Sequence, residues 1–137
     1  MSEIEILIEK FWSRLEGIFQ LLANQLLTGY IGFKFQIGNS SNSVFPLRAY
    51  LIILRSNTGD ELSITVDIKN IEDGFLIESD VVGEEGKIIV DGPLLELHEE
   101  LSDPLVQVKI DKWFESFEQM FIDKFDDIDA AIKYLAD

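Results

Sequence analysis

The sequence predicts an α+β fold, an antiparallel meander sheet of five or six strands covered on one face by an N-terminal helix and a long C-terminal helix. Three observations carry this. Apolar residues recur at three- and four-residue spacing at both ends of the chain, they alternate with polar residues through its middle, and the connections in that middle are too short for crossover helices. All 137 residues form one domain with no visible repeat or linker. A chain of this size buries roughly two thirds of its unfolded area, so a core forms without disulfide or metal staples.

The first helix starts at a capping box, in which Ser2 accepts from the amide three residues on and Glu5 reaches back. Its stripe runs through Ile4, Ile8, Phe11, Leu15, Ile18, Leu22 and Leu26, widened by Leu7, Trp12, Phe19 and Ala23, until Gly29 supplies a left-handed stop. From Tyr30 the period becomes two, with Ile31, Phe33, Phe35 and Ile37 on one face and Lys34 and Gln36 on the other. After the polar loop Gly38 to Ser43, a strand runs from Leu47 to Arg55. Asn57-Thr58-Gly59-Asp60 turns it into Glu61 to Lys69, where Leu62, Ile64, Val66 and Ile68 alternate with Ser63, Thr65, Asp67 and Lys69. Asp73-Gly74 turns into a strand from Phe75 to Val82, and Gly83 to Gly86 leads into Lys87 to Val90. Leu94 to Leu101 fits a short edge strand and, through Leu94, Leu97 and Leu101, a helical face as well; the edge strand is favoured. Asp103 before Pro104 is a helix start, an acid at the cap and proline at the first position. The final stripe joins Ile110, Phe114, Phe117, Phe121, Phe125, Ile128, Ile132 and Leu135, and Asp126-Asp127-Ile128-Asp129 marks a candidate break near Phe125.

Composition removes several kinds of chemistry. Without cysteine there is no thiolate ligand, disulfide or Cys nucleophile, and no Gly-x-Ser-x-Gly elbow presents a serine. His98 is the single histidine, and an HExxH zinc motif needs a second at position 102, where Ser102 stands. Asp126, Asp127 and Asp129 lack the alternating acids, glycine and terminal glutamate of a calcium loop, so helix capping and a solvated face account for them. Gly29 to Gly32 and Gly83 to Gly86 have the bare GxxG spacing, but neither precedes a helix start as a phosphate cradle would. The aromatic residues Phe11, Trp12, Phe19, Trp113, Phe114, Phe117, Phe121 and Phe125 stand at helical spacing and read as core. No catalytic residue, cofactor or metal site is therefore assigned. The absence of an export signal and of an apolar span of about 20 residues leads to the expectation of a cytoplasmic protein.

With 26 acids against 11 bases and a net charge of −15, the chain is a poor match for nucleic acid or anionic membrane, and an attractive one for a basic protein. One strand breaks the expected pattern. A sheet with a wet face predicts polar residues on it, yet Leu47 to Arg55 is apolar on both faces, with Leu47, Ala49, Leu51 and Ile53 on one and Tyr50, Ile52 and Leu54 on the other. Whichever set meets solvent is a contact patch, unless a helix end or loop covers it. The candidate partner-binding residues are Tyr50, Ile52 and Leu54 with an acidic rim of Asp67, Glu78, Asp80, Glu84 and Glu85.

In general type, small, acidic, α+β and poor in catalytic residues, the chain resembles immunity proteins. The resemblance implies a non-catalytic binder that neutralises a basic toxin by occluding its active surface. Small acidic secretion chaperones are similar in size and charge, which would make the partner a secreted client and the protein a homodimer. They usually carry a helix between central strands, for which Asn70 to Gly74 leaves no room. A small-ligand-binding α+β domain is a third expectation, requiring a cavity between helices and sheet.

Overall fold

The computed structural model describes residues 2–136, with Glu85 described in its backbone only. Helix α1 (Glu3–Leu26) is followed by strands β1 (Phe33–Ser40), β2 (Leu47–Arg55), β3 (Glu61–Ile71), β4 (Gly74–Val82), β5 (Ile88–Asp91) and β6 (Leu95–Leu97), then by helices α2 (Pro104–Asp123) and α3 (Phe125–Ala136). The sheet is antiparallel in the order β1-β2-β3-β4-β5, and β6 pairs with β4 beyond β5. The expected α+β meander is therefore what forms. Helix α1 packs on β1 and β2, α3 on β3 and β5, and α2 beside β6.

Both expected helix starts are made by the expected groups. Ser2 Oγ accepts from the Glu5 amide, and the Asp103 carboxylate accepts from the Leu105 amide at 2.9 Å, with Pro104 at the first position. The long C-terminal stripe is divided at Lys124 into α2 and α3. There the Lys124 amide still donates to the Met120 carbonyl and the Ile128 amide to the Lys124 carbonyl, so the division is a kink in a nearly continuous ladder. The kink leaves Phe125 41% exposed although it belongs to the stripe.

The buried arc of α1 is shifted from the expected centre line. Leu7, Phe11, Leu15, Phe19, Leu22, Ala23 and Leu26 are buried, whereas Ile4, Ile8 and Ile18 are only half-buried. The shift follows from a second neighbour. Phe11 meets Trp113 and Phe114 of α2 at ring-centroid distances of 5.7 and 5.1 Å, so the helix buries the arc between sheet and α2. Phe11, Phe19, Phe114 and Phe117 are completely buried between helices and sheet.

At the sheet, parity assigns every side chain. Leu47, Ala49, Leu51 and Ile53 lie opposite Ile68, Val66, Ile64 and Leu62, and all eight are buried under the helices. Tyr50, Ile52 and Leu54 therefore face the other way. The first strand corrects one expectation. It starts at Phe33, because Gly32 at φ 84° turns the chain, and Ile31 is 97% exposed instead of belonging to the inner face.

Strands β5 and β6 behave as one strand running along β4, interrupted by a bulge at Gly92 to Leu94. Ser79, the one buried polar residue among those described, donates its hydroxyl to the Pro93 carbonyl at 3.4 Å, and the Trp113 indole donates to the same oxygen at 3.0 Å. The bulge lies so close to β4 that a Cβ on Gly92 would fall 2.0 Å from Ser79 Oγ and 2.9 Å from Ser79 O. Gly17, in the exposed middle of α1, has open space where its Cβ would be. Opposite outcomes are expected in urea unfolding. Gly92→Ala lowers stability by about 2 kcal/mol, the cost of forced overpacking, and Gly17→Ala raises it by about 0.5–1 kcal/mol through helix propensity.

Candidate functional site

The face of the sheet turned away from the helices is built from alternate residues of adjacent strands. Register places them in rows: Lys34, Leu54 and Glu61; then Gln36, Ile52, Ser63, Val82 and Ile88; then Gly38, Tyr50, Thr65, Asp80 and Asp91; then Ser40, Arg48, Asp67 and Glu78. Among the described residues no helix packs on this face; α1, α2 and α3 all contribute to the core on the other side. Six of the residues singled out in the sequence, Tyr50, Ile52, Leu54, Asp67, Glu78 and Asp80, are thus brought together on one surface. Glu84 sits apart, exposed in the 3-10 turn Glu84–Gly86 at the end of β4, and the side chain of Glu85 lies outside the described residues.

The apolar part is half-buried by its own neighbours. The Tyr50 ring lies over Gly38, where a Cβ would come within 2.4 Å of the phenolic oxygen, so the glycine makes room for the aromatic side chain of the next strand. Ile52 and Val82 flank Ser63 in one row, continued at the sheet edge by Ile88, which is 53% exposed.

The charged part carries four carboxylates in two directly opposed pairs, Asp67 across from Glu78 and Asp80 across from Asp91. Like charges in that position repel, and only local bonds offset them. Arg48 reaches Asp67 with two nitrogens, at 3.2 and 3.3 Å, and Thr65 donates to Asp80 at 2.5 Å. Glu78 and Asp91 have no hydrogen-bond or ion-pair partner among the described residues. Arg48 is itself held at 4.0 Å over the ring of Phe45, with Lys69 on the same ring at 5.9 Å. Phe45 is placed there by Asn42, whose side-chain oxygen accepts from the Val44 and Phe45 amides, and by Asn70, which donates to the Ser43 carbonyl.

Burial pushes the Asp67 carboxyl up; Arg48 pulls it back, and the Asp80 charge adds to the rise. A carboxyl whose pKa is raised by folding loses stability as pH rises through that value, so ionised Asp67 is a cost at neutral pH. Asp67→Asn is expected to raise the unfolding midpoint at pH 7 relative to the parent, with the gain shrinking as the pH is lowered until the parent's Asp67 is protonated.

Sequence reasoning missed Asp91, Arg48, Phe45 and Lys69. The signal for Asp91 was the pairing of β5 with β4, which depends on a bulged register; the signal for Arg48 was its parity with Tyr50. Asp129, which its sequence context marks only as part of a solvated cap, accepts from the Tyr30 hydroxyl at 2.8 Å and pairs with Lys133 at 3.3 Å, fastening α3 to the chain between α1 and β1.

His98 is a latch on the β6 end of the sheet. Its Nε2–H donates to Glu96 at 2.9 Å and its Nδ1–H to the Asp73 carbonyl at 3.2 Å, and since both partners only accept, both contacts are hydrogen bonds only in the imidazolium form. The Glu96 carboxylate first, and the Asp73 carbonyl second, raise the His98 pKa above its usual value. The contribution is complete below the unfolded pKa and is lost as pH rises through the folded one. An NMR titration should place His98 above about 6.5, the ordinary value, and Glu96→Gln should bring it back down.

Surface clefts of about 350, 770, 420 and 720 Å³ lie along the seams of the helices; the second, between α2 and the Gly92 bulge, and the fourth, between α3 and the β4–β5 corner, reach Asp91 and Ile88 at the margin of the open face, while the phenylalanines described above are buried between helices and sheet. Among the described residues no helix is long and apolar enough to cross a membrane, and no group of three or more His, Asp or Glu residues is arranged to hold a metal ion. The chain matches no protein-family model, and it has no significant match to the curated proteins or to the solved structures with which it was compared.

Proposed function

We propose that the chain is a non-catalytic binding module whose open sheet face receives a basic protein, in the manner of an immunity protein that occludes a toxin's active surface. One observation supports this above the others. The face left without helices carries the opposed pairs Asp67/Glu78 and Asp80/Asp91, with the Glu78 and Asp91 carboxylates unpartnered among the described residues, next to the half-buried Tyr50, Ile52 and Leu54. Stability alone disfavours such an arrangement, since each opposed carboxylate pair is a repulsion that a polar residue would relieve. A cationic partner turns the cost into attraction, and the apolar row beside it gives the contact a desolvated centre. The −15 net charge draws such a partner in before contact.

The test is capture of interacting proteins at low and high salt, with the parent chain and with a Glu78→Lys/Asp80→Lys variant, followed by binding kinetics on the purified partner. The expected partner is basic, is lost on charge reversal, and associates with a rate that falls by about tenfold or more between low and high salt. A partner retained equally by both chains at both salts overturns the proposal.

A further inference from the structure

The two edges of the sheet differ sharply. On the β4 side the edge is divided between short strands β5 and β6 and broken by the Gly92 to Leu94 bulge, a common protection against unwanted pairing. On the other side β1 runs unbroken in register along β2 from Phe33 to Ser40, and among the described residues no strand pairs with its outer edge. The Ser56 amide donates to the Gly32 carbonyl, which fixes the alternation of the ladder: Lys34, Gln36, Gly38 and Ser40 bond to β2, and the amides and carbonyls of Phe33, Phe35, Ile37 and Asn39 point outward. Phe35 is 38% exposed beside them.

Charge decides what fits this edge. All 26 acids lie outside residues 17–59, a tract in which an even spread would place about eight of them. That tract is the second half of α1 with β1 and β2, one packed unit. Of its three cations, Arg48 is bound to Asp67 and Arg55 donates to the Leu135 carbonyl at the end of α3, leaving Lys34 on the edge strand itself. A basic partner finds no carboxylate on the edge, and an acidic one finds a single lysine. A second copy of this chain, carrying −15 of its own, finds the one sheet edge where the two molecules meet without setting carboxylates against each other.

We propose that two copies pair antiparallel through the free edges of β1 to form one continuous sheet. A two-fold axis at Gln36 uses all the outward groups. It sets Phe33 opposite Asn39, Phe35 opposite Ile37, and Lys34 opposite Gly38 of the second copy, so the lysines do not face each other. The open faces of both copies stay free, and the pairing is independent of the basic-partner reading.

Sedimentation velocity and light scattering over a range of concentration and salt test this. A dimer that tightens with added salt is expected, because salt screens the repulsion between the two negative bodies. Gln36 is exposed, so Gln36→Glu keeps the fold, checked by its unfolding midpoint, while placing two carboxylates at the axis; it should weaken the dimer by about fivefold or more. Glu78→Lys/Asp80→Lys should not weaken it. In hydrogen exchange, the amides of Phe33, Phe35, Ile37 and Asn39 should be protected in the dimer and released on dilution. A monomer throughout, a dimer indifferent to Gln36→Glu, or protection confined to other segments overturns the proposal.

Discussion

The structure depends on one constraint, that a six-stranded sheet is covered by helices on one face only. Since side chains alternate along a strand, burying Leu51 beside Ile64 under the helices commits Ile52 and Ser63 to the opposite face, and the same parity runs through every ladder. A one-residue slip of β2 would expose Leu47, Ala49, Leu51 and Ile53 together, so the register is held by the whole inner face at once. Turn details such as the left-handed Asp73 at φ 60° follow that register and do not set it.

The helices are interlocked by aromatic packing across α1 and α2. Trp113 stacks on Phe117 at 4.9 Å with an interplanar angle of 13°, meets Phe114 edge-on, and sends its indole N–H to the Pro93 carbonyl. One side chain thereby joins the helix layer to the bulge that interrupts the sheet edge, and Ser79 completes the junction from β4. The bulge is thus set by the core, and the sheet edge it protects is a consequence of helix packing.

Local signals made the fold class legible. Ser2 with Glu5, Asp103 with Pro104, and the clean alternation of Leu62 to Lys69 each state their structure within a few residues. Period alone could not say which face of β2 meets solvent, because both faces are apolar; the answer lies in its pairing with β3, twenty residues away in places. Opposition of Asp67 to Glu78 and of Asp80 to Asp91 is likewise a product of register, the second depending on a bulged pairing that leaves little trace in sequence. Ile31 shows the converse failure, since the alternating pattern runs back past Gly32, the turn residue after which the strand begins.

Placed on this fold, the charge pattern divides the surface by strand. The carboxylates of β3, β4 and β5 crowd the open face, and the α1–β1–β2 unit carries none from Gly17 through Gly59. If acidity served solubility alone, acids would be spread over every exposed position, the exposed Gln36, Asn39 and Ser40 of the edge included, because an uncharged edge strand invites pairing. On the two proposed readings the segregation would give two surfaces that respond to salt with opposite sign: attraction of a basic partner to the open face would weaken as ions screen it, and approach of a second, like-charged copy at the β1 edge would become easier. Ionic strength is therefore the variable that separates the two surfaces, and it does so without altering a residue.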